Sequence, residues 1–246
     1  MFLKLRKKGN SPYPSLKDID RMSAKTVIEL QNINKIYQTG KNELQVLFDV
    51  CLQIYEGDFI SIVGPSGSGK TTLLNIIACL DRPTSGRYLL GGKNVKSRTN
   101  DDLSRIRNKS IGFIFQSFNL ISRHTAIENV QMPLQYSDIL DKKERKLRAL
   151  ECLEMVDLTN RAKHHPNELS GGQQQRVAIA RSLINNPDII LADEPTGNLD
   201  SKTSADIINL LKKLHESGKT IIIITHDEGI AKEAMDTIRI SDGRII

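Results

Sequence analysis

Two glycine-rich stretches contain the residues of this chain that could do chemistry. The first has the pattern G-x-x-x-x-G-K-[ST], in which backbone N–H groups cradle phosphates, the lysine adds charge at the β- and γ-oxygens, and the hydroxyl binds Mg²⁺. The sequence therefore predicts a nucleoside triphosphate site, which the adjacent Thr72 extends. The residues of this phosphate loop are Gly64, Pro65, Ser66, Gly67, Ser68, Gly69, Lys70 and Thr71.

The second stretch, Leu169-Ser170-Gly171-Gly172-Gln173, places two glycines where a helix is expected to begin. The free N–H groups and the dipole of a helix N-terminus attract anions. Two anion-binding stretches on one chain indicate that the phosphates of a nucleotide are held from two sides. Binding of the nucleotide would then join two surfaces, and its hydrolysis would release them.

Carboxylates follow a short apolar run that is typical of a buried strand. Asp193 and Glu194 come directly after Ile189–Ala192. The carboxyl ends of strands form the ligand-binding edge of open α/β sheets. We expect Asp193 to bind Mg²⁺ through water. We expect Glu194 to orient and polarise the attacking water, because phosphoryl transfer depends mainly on positioning.

Two further polar residues follow apolar runs in the same way. His226 comes after Ile221–Thr225, and Gln116 comes after Ile111–Phe115. If these strands are parallel to the others, His226 faces the phosphates and the Gln116 amide reaches the metal or the water. The alternative for His226 is a histidine that only satisfies local hydrogen bonds.

The elements that would position these residues indicate an α/β fold. Phe59–Val63 is a buried-strand candidate that leads into the phosphate loop and a helix over about 70–79. A helix over 205–214 joins two apolar strands, a rhythm that favours a right-handed parallel crossover. The segment 27–55 and Gly91-Gly92 indicate antiparallel hairpins. The polar region 125–166 is predicted to be helical, with Leu147, Leu150 and Leu153 facing inward.

Length and composition are those of one large globular domain of 246 residues, with 39% hydrophobic and 26% charged residues. No apolar run approaches the roughly 20 residues that span a bilayer. The net charge of +6 is spread widely, apart from one N-terminal basic cluster, and no nucleic-acid motif accompanies it. The cysteines lack C-x-x-C spacing and are expected to be buried free thiols. The basic cluster is Lys4, Arg6, Lys7 and Lys8, and the cysteines are Cys51, Cys79 and Cys152.

These motifs occur in the order found in ATP-binding-cassette (ABC) ATPases, which the chain resembles over about residues 27–246. The resemblance implies a P-loop NTPase (RecA-like) core with an N-terminal antiparallel β subdomain and an inserted helical subdomain at about 117–175. Residues 1–25 would be an N-terminal extension and 26–246 the ATPase domain. The segments that carry the resemblance are Tyr37, the phosphate loop, Gln116, Leu169–Gln173, Asp193-Glu194, Asn198-Leu199-Asp200 and His226.

The resemblance also implies roles for individual residues. Tyr37 would stack on adenine, and Gln116 would lie in a loop that senses the site. Ser170, Gly171, Gly172 and Gln173 would clasp the γ-phosphate of ATP held by a second subunit. Asp200 would lie at the seam between the subunits, and His226 would be a switch residue on the γ-phosphate. The implied cofactors are ATP and Mg²⁺.

The sequences of two segments, Gly112–Leu120 and Thr196–Asp200, are similar to those of lipoprotein-release and macrolide-exporter ATPases. Cell-division and antimicrobial-peptide-resistance ATPases are close alternatives. The resemblance implies a homodimer on the cytoplasmic face of the membrane, which powers export or extraction through an integral-membrane permease. A periplasmic or extracellular adaptor is a further candidate partner. The permease domain is expected either as a separate protein or as part of a longer polypeptide.

Two other classes of protein fit the sequence less well. Soluble ABC proteins that act on DNA need a long coiled-coil insertion, and those that act on the ribosome need two cassettes. A nucleotide-binding regulator without hydrolysis would lack a catalytic group, yet Lys70, Asp193, Glu194 and His226 are all present. Because the ATPase is not expected to touch the transported substrate, specificity should lie in the membrane partner.

Overall fold

The computed structural model describes residues 24–40, 42–136 and 141–246. The N-terminal basic cluster, and all but the last two residues of the predicted extension, lie outside the described residues. The strands are β1 (Thr26–Thr39), β2 (Asn42–Tyr55), β3 (Phe59–Val63), β4 (Ser85–Leu90), β5 (Lys93–Asn94), β6 (Ile111–Ile114), β7 (Ile189–Asp193), β8 (Thr220–Thr225), β9 (Asp236–Ser241) and β10 (Arg244–Ile245).

The α-helices alternate with the strands through most of the described chain. They are α1 (Lys70–Ile77), α2 (Asn100–Ser110), α3 (Ala126–Gln131), α4 (Lys142–Glu154), α5 (Gly171–Leu183), α6 (Ser201–Glu216) and α7 (Glu228–Ala231). Short 3-10 helices cover Met132–Tyr136, Thr159–Arg161 and Pro166–Glu168.

The N-terminal part forms an antiparallel sheet in the order β2-β1-β4-β5. The predicted hairpins are confirmed, because β1 pairs with β2 and β4 pairs with β5. The β4–β5 turn is made by Gly91 and Gly92, whose φ angles of 53° and 76° lie in the left-handed region that glycine adopts without strain. This sheet carries Tyr37 on β1.

The second sheet has the order β10-β9-β3-β8-β7-β6, and its strands β6, β7, β8, β3 and β9 are parallel. Every residue of β3 and β8 is buried, as expected of strands covered on both faces. In the register, Val63 lies opposite Thr225, and Asp193 lies opposite Ile224. The phosphate loop, the Asp193-Glu194 pair and His226 therefore emerge from neighbouring strands at one edge of the sheet.

Helix α4 presents a different face to the core from the one its leucines predicted. Its buried residues are Ala149, Cys152 and Leu153, whereas Leu150 is half-buried and Leu147 is 52% exposed. The expectation that Leu147 faces inward was wrong. The neighbouring helices α3 and α5 pack against α4 and select the stripe of positions i, i+3 and i+4 that fits between them.

Helix α6 is longer than the predicted 205–214, and Asp200 caps its N-terminal end. The Asp200 side chain accepts a hydrogen bond from the Thr203 N–H and so satisfies a free donor of the first turn. Among the described residues, no helix combines the length and apolar character that crossing a membrane requires.

The cysteines divide into two buried residues and one exposed residue. Cys79 and Cys152 are buried as expected, and burial raises the pKa of Cys152 to about 11. Cys51 is exposed, so the expectation that it is buried was wrong. Successive side chains of a strand point to opposite faces, and the residues on either side of Cys51 in β2, Val50 and Leu52, are the buried ones.

Candidate functional site

The phosphate loop borders a cavity of about 380 Å³ at the carboxyl edge of the parallel sheet. The walls come from the loop and the start of α1 on one side and from the ends of β7 and β8 on the other. The side chain of Val46 on β2, which the sequence did not single out, also lies there. The predicted site residues that line this cavity are Ser66, Gly67, Gly69, Lys70, Thr71, Thr72, Asp193, Glu194 and His226.

The backbone of the loop depends on its glycines. Gly69, with φ of 98°, is the residue that precedes α1, and no side chain caps the first N–H groups of that helix. A Cβ atom at Gly64 would lie 2.1 Å from the Ile240 carbonyl oxygen, so only glycine fits there. The Lys70 ammonium donates to the carbonyl oxygens of Gly64 and Pro65, at 2.8 Å each. Free N–H groups and a charged amine therefore converge on the cavity, as an anion site requires.

Glu194 and His226 form a hydrogen-bonded pair on the opposite wall. Glu194 Oε1 accepts hydrogen bonds from the His226 backbone N–H at 3.0 Å and from Nδ1 at 2.6 Å. Its other oxygen accepts from the Thr225 hydroxyl at 3.2 Å. These contacts orient the carboxylate. The backbone of Glu194 is in the left-handed region, with φ of 46°. Since Nδ1 serves the carboxylate, Nε2 is the ring nitrogen available to another partner.

Asp193 lies beside this pair in a less solvated position. Burial raises the pKa of Asp193, the charge of Glu194 raises it further, and the Lys70 ammonium opposes both. A bound cation would relieve this unfavourable negative charge. The Thr71 hydroxyl and the Asp193 carboxylate share the cavity and are hard oxygen donors, which suit Mg²⁺ held by one or two protein groups together with phosphates and water. The residues therefore fit a magnesium ion.

Gln116, the third predicted metal-binding residue, lies outside the set of described residues that line the cavity. Its side chain packs against Gly197, where a Cβ atom would come within 2.6 Å of Gln116 Nε2. Its carbonyl oxygen accepts a hydrogen bond from Asn198 Nδ2 at 3.0 Å. The structure therefore brings Gln116 against the loop after Glu194.

The second glycine-rich stretch is also apart from the phosphate cavity. Ser170 caps the N-terminus of α5: its hydroxyl oxygen accepts from the Gln173 N–H at 3.3 Å, and its own N–H donates to Gln173 Oε1 at 3.0 Å. A Cβ atom at Gly172 would lie 2.4 Å from Thr203 Cγ2 on α6. Thr203 in turn donates its hydroxyl to Asp200 at 2.6 Å. The stretch thus packs beside Asp200, and among the described residues neither borders the cavity of the phosphate loop.

Two polar residues on the inner side of α5 were missed by the sequence analysis. Gln175 is fully buried, and its amide donates to the Pro195 carbonyl oxygen at 2.6 Å. The Arg181 guanidinium, 9% exposed, donates to the carbonyl oxygens of Phe118 at 2.8 Å and Asn119 at 2.5 Å. The sequence signal that could have identified them is a glutamine and an arginine on the otherwise apolar face of a helix. Both tie α5 to segments that flank predicted catalytic residues.

Comparison with known proteins gives a consistent result. The sequence profile of the family described as "ABC transporter" matches residues 47–197. An uncharacterized ABC transporter ATP-binding protein of Thermotoga maritima is 52% identical over 221 residues, which cover 90% of this chain and 94% of that protein. The macrolide export ATP-binding/permease protein MacB of Hyphomonas neptunium is 50% identical over 220 residues, which cover 89% of this chain and 34% of that protein.

A solved structure resembles the whole described fold. It is the ATP-binding cassette MJ0796 of Methanocaldococcus jannaschii, in a dimeric post-hydrolysis state bound to ADP and Pi. The TM-score is 0.81 at 51% sequence identity, and the match covers 89% of this chain and 96% of that chain.

Proposed function

The chain belongs to the ABC transporter family of ATP-binding domains, and we propose that this ATPase powers export or extraction through a separate membrane subunit. ATP and Mg²⁺ are its cofactors. The observation that carries the ATPase part of the proposal is the convergence of Lys70, Thr71, Asp193, Glu194 and His226 on one cavity at the sheet edge. We propose that residues 26–246 are the ATPase domain and that about 117–175 form its helical subdomain.

The proposed mechanism assigns one task to each group in the cavity. The loop N–H groups and Lys70 hold the phosphates. Thr71 and Asp193 would hold the metal, which would neutralise charge on the transferred phosphoryl group. Glu194 accepts the proton of the attacking water as its oxygen bonds to the γ-phosphorus. The bond to the β-phosphate oxygen breaks, and ADP and phosphate leave. The contacts of His226 with Glu194 keep the base in position. With Nδ1 bonded to the carboxylate, Nε2 would donate to the γ-phosphate in the imidazolium form, in which both ring nitrogens carry protons.

We propose that each site is completed by a second copy of the chain. Ser170, Gly171 and Gly172 are at a helix N-terminus that suits an anion, yet they lie outside the cavity that holds Lys70. A second subunit could bring its own Ser170–Gly172 against the γ-phosphate, with Asp200 at the seam. The dimeric state of a solved relative at 51% identity supports this arrangement.

The membrane partner is proposed from the relatives. The MacB proteins, of which this chain covers about a third, carry an ATP-binding part and a permease part. We propose that this chain works with a permease at the cytoplasmic face of the membrane, in the lipoprotein-release and macrolide-exporter subgroup. ATPases of cell division or peptide resistance remain the alternative, and a periplasmic or extracellular adaptor is a further proposed partner.

Complementation between two defective variants tests the composite site. Lys70→Ala removes charge from the phosphate loop. Gly171→Asp places a carboxylate at the start of α5, where it suits the helix dipole but repels phosphate. In a mixed dimer both defects fall in one of the two sites, and the other site is intact. Each variant alone should therefore be inactive, whereas the equimolar mixture should recover up to a quarter of wild-type phosphate release, since half of the dimers are mixed and each has one working site.

The controls separate this outcome from simple residual activity. A mixture of either variant with itself should remain inactive at the same total concentration. A double variant that carries both changes should give no recovery with either single variant. If the mixture of single variants is as inactive as its components, the composite site is refuted.

A further inference from the structure

Tyr37 on β1 contacts two charged side chains that the proposed mechanism does not use, one at its hydroxyl and one over its ring. Its hydroxyl donates to Asp81 Oδ2 at 2.8 Å. The ammonium of Lys35 lies 4.6 Å from the centre of its ring and covers one face. A cation over an aromatic face is attracted by the ring quadrupole. The ring therefore has a fixed orientation.

Lys35 is itself fixed, although its side chain is long. It is 8% exposed, and its ammonium donates to Asp81 Oδ1 at 2.6 Å and to the Arg82 carbonyl oxygen at 2.9 Å. The backbone N–H of Ile36, between Lys35 and Tyr37, donates to the Thr84 hydroxyl at 2.9 Å. This stretch of β1 is thus bound residue by residue to the segment that follows α1.

Asp81 is the centre of this cluster. Burial opposes its ionisation, but the hydrogen bonds from Lys35 and Tyr37 hold the pKa of Asp81 below its usual range. Each carboxylate oxygen takes one of the two donors, and Oδ1 also accepts from the Arg82 N–H at 2.7 Å. Asp81 is therefore a charged acceptor at neutral pH that serves both side chains at once.

The cluster also connects the ring with the phosphate loop. Asp81 follows the C-terminal end of α1, and its backbone N–H donates to the Asn75 carbonyl oxygen of that helix at 3.1 Å. The other end of α1 begins with Lys70. In addition, burial raises the pKa of the Tyr37 hydroxyl, and Thr72, which lines the phosphate cavity, is close enough to that hydroxyl to oppose the rise. One rigid helix therefore lies between the group that holds phosphates and the group that holds the ring.

We propose that Lys35 and Asp81 are positioning residues that fix the Tyr37 ring as a platform for the nucleotide base and set its distance from the phosphate loop. The proposal rests on the proposed function, in which Tyr37 stacks on adenine. A ring free to rotate would lose conformational entropy when a base stacks on it. The anchored ring has already paid that entropy in folding. The Lys35–Asp81 pair then acts on affinity for the base and not on affinity for phosphate.

The test compares a ligand that has a base with one that lacks it. Dissociation constants of ADP and of inorganic pyrophosphate are measured by titration calorimetry at equal Mg²⁺, and their ratio is the readout. Tyr37→Ala removes the platform, Tyr37→Phe keeps the ring but removes the hydroxyl that bonds Asp81, and Lys35→Met removes the cation over the ring. Lys219→Met is the control, because Lys219 is a half-buried lysine that donates to Asn186 Oδ1 and to the Pro187 carbonyl oxygen.

We expect Tyr37→Ala to weaken ADP binding about tenfold or more, since stacking on an aromatic ring contributes strongly to base binding. Tyr37→Phe and Lys35→Met should each weaken it about threefold to fivefold, the size of one net hydrogen bond or cation–π contact. Pyrophosphate binding should change less than about twofold, and the control should leave the ratio unchanged.

Two outcomes would overturn the proposal. If only Tyr37→Ala raises the ratio of the ADP to the pyrophosphate dissociation constant, the platform needs no anchor, and the roles of Lys35 and Asp81 are refuted. The proposal is also refuted if Lys35→Met weakens the binding of ADP and of pyrophosphate by the same factor, because Lys35 then supports the fold as a whole. Neither outcome affects the composite site, which the complementation of Lys70→Ala with Gly171→Asp tests separately.

Discussion

Glu194→Gln tests the proposed catalytic base with little disturbance of its surroundings. The two hydrogen bonds from His226 end on the same oxygen, Oε1, which glutamine retains. The other carboxylate oxygen accepts from the Thr225 hydroxyl at 3.2 Å, and the glutamine NH₂ group at that place would donate to this hydroxyl instead. The substitution therefore removes the charge and the proton acceptor while it keeps the geometry.

The expected magnitude follows from these two losses. A positioned general base contributes about 10²- to 10⁴-fold to a rate, which corresponds to about 3–5.5 kcal/mol of transition-state stabilisation. We expect kcat to fall by that factor. ATP affinity should stay equal or increase, because the charge of Glu194 raises the pKa of the neighbouring Asp193. Without that charge, Asp193 ionises more readily and should hold the metal better.

Two measurements on the same protein check this prediction. Phosphate release gives kcat, and light scattering with ATP gives the oligomeric state, in which the variant should persist as a dimer because hydrolysis no longer releases it. Glu216→Gln, an exposed position at the end of α6, is the control and should match the wild type. Turnover within tenfold of the wild type would refute the role of Glu194. A variant that stays monomeric with ATP at high concentration would refute the dimer.

Three further predictions concern stability and reactivity. Because the pKa of Asp193 is raised in the folded protein, its protonated form favours folding, and that stability is lost as pH rises through the raised value. Asp193→Asn should therefore raise the nucleotide-free unfolding midpoint at pH 7, with the gain gone below about pH 4; an equal or lower midpoint at pH 7 would contradict this. Arg181→Met should lower the free energy of unfolding by about 3 kcal/mol or more, because two carbonyl oxygens lose a charged donor; urea denaturation measures this, and a loss below about 1 kcal/mol would show that these bonds contribute little. One thiol should react quickly with a thiol reagent at neutral pH, and Cys51→Ser should abolish that reaction. The reason is that Cys79 and Cys152 are buried and that burial raises their pKa. Fast labelling that survives Cys51→Ser would contradict the burial of the other two thiols.

Features encoded in a few adjacent residues were predictable from the sequence. The phosphate loop between a strand and a helix, the hairpin at Gly91-Gly92 and the buried strands of the parallel sheet are all present where the pattern placed them. Local backbone chemistry is sufficient for such features, because a glycine at a left-handed position or an apolar run of strand length restricts the chain by itself. The meeting of Asp193 and His226 at one edge also followed, since parallel strands end together.

Features that depend on neighbours distant in sequence came only from the tertiary structure. The inward face of α4 was mispredicted at Leu147, because packing against α3 and α5 determines which side of the helix is buried. No pattern in the sequence near Lys35 predicts that Asp81 pairs with its ammonium and accepts the hydrogen bond from the Tyr37 hydroxyl. The sequence by itself thus determined which polar and charged groups are available for the proposed nucleotide site. Their orientation was decided by tertiary contacts, because a hydrogen bond or an ion pair between distant segments exists only once the chain has folded.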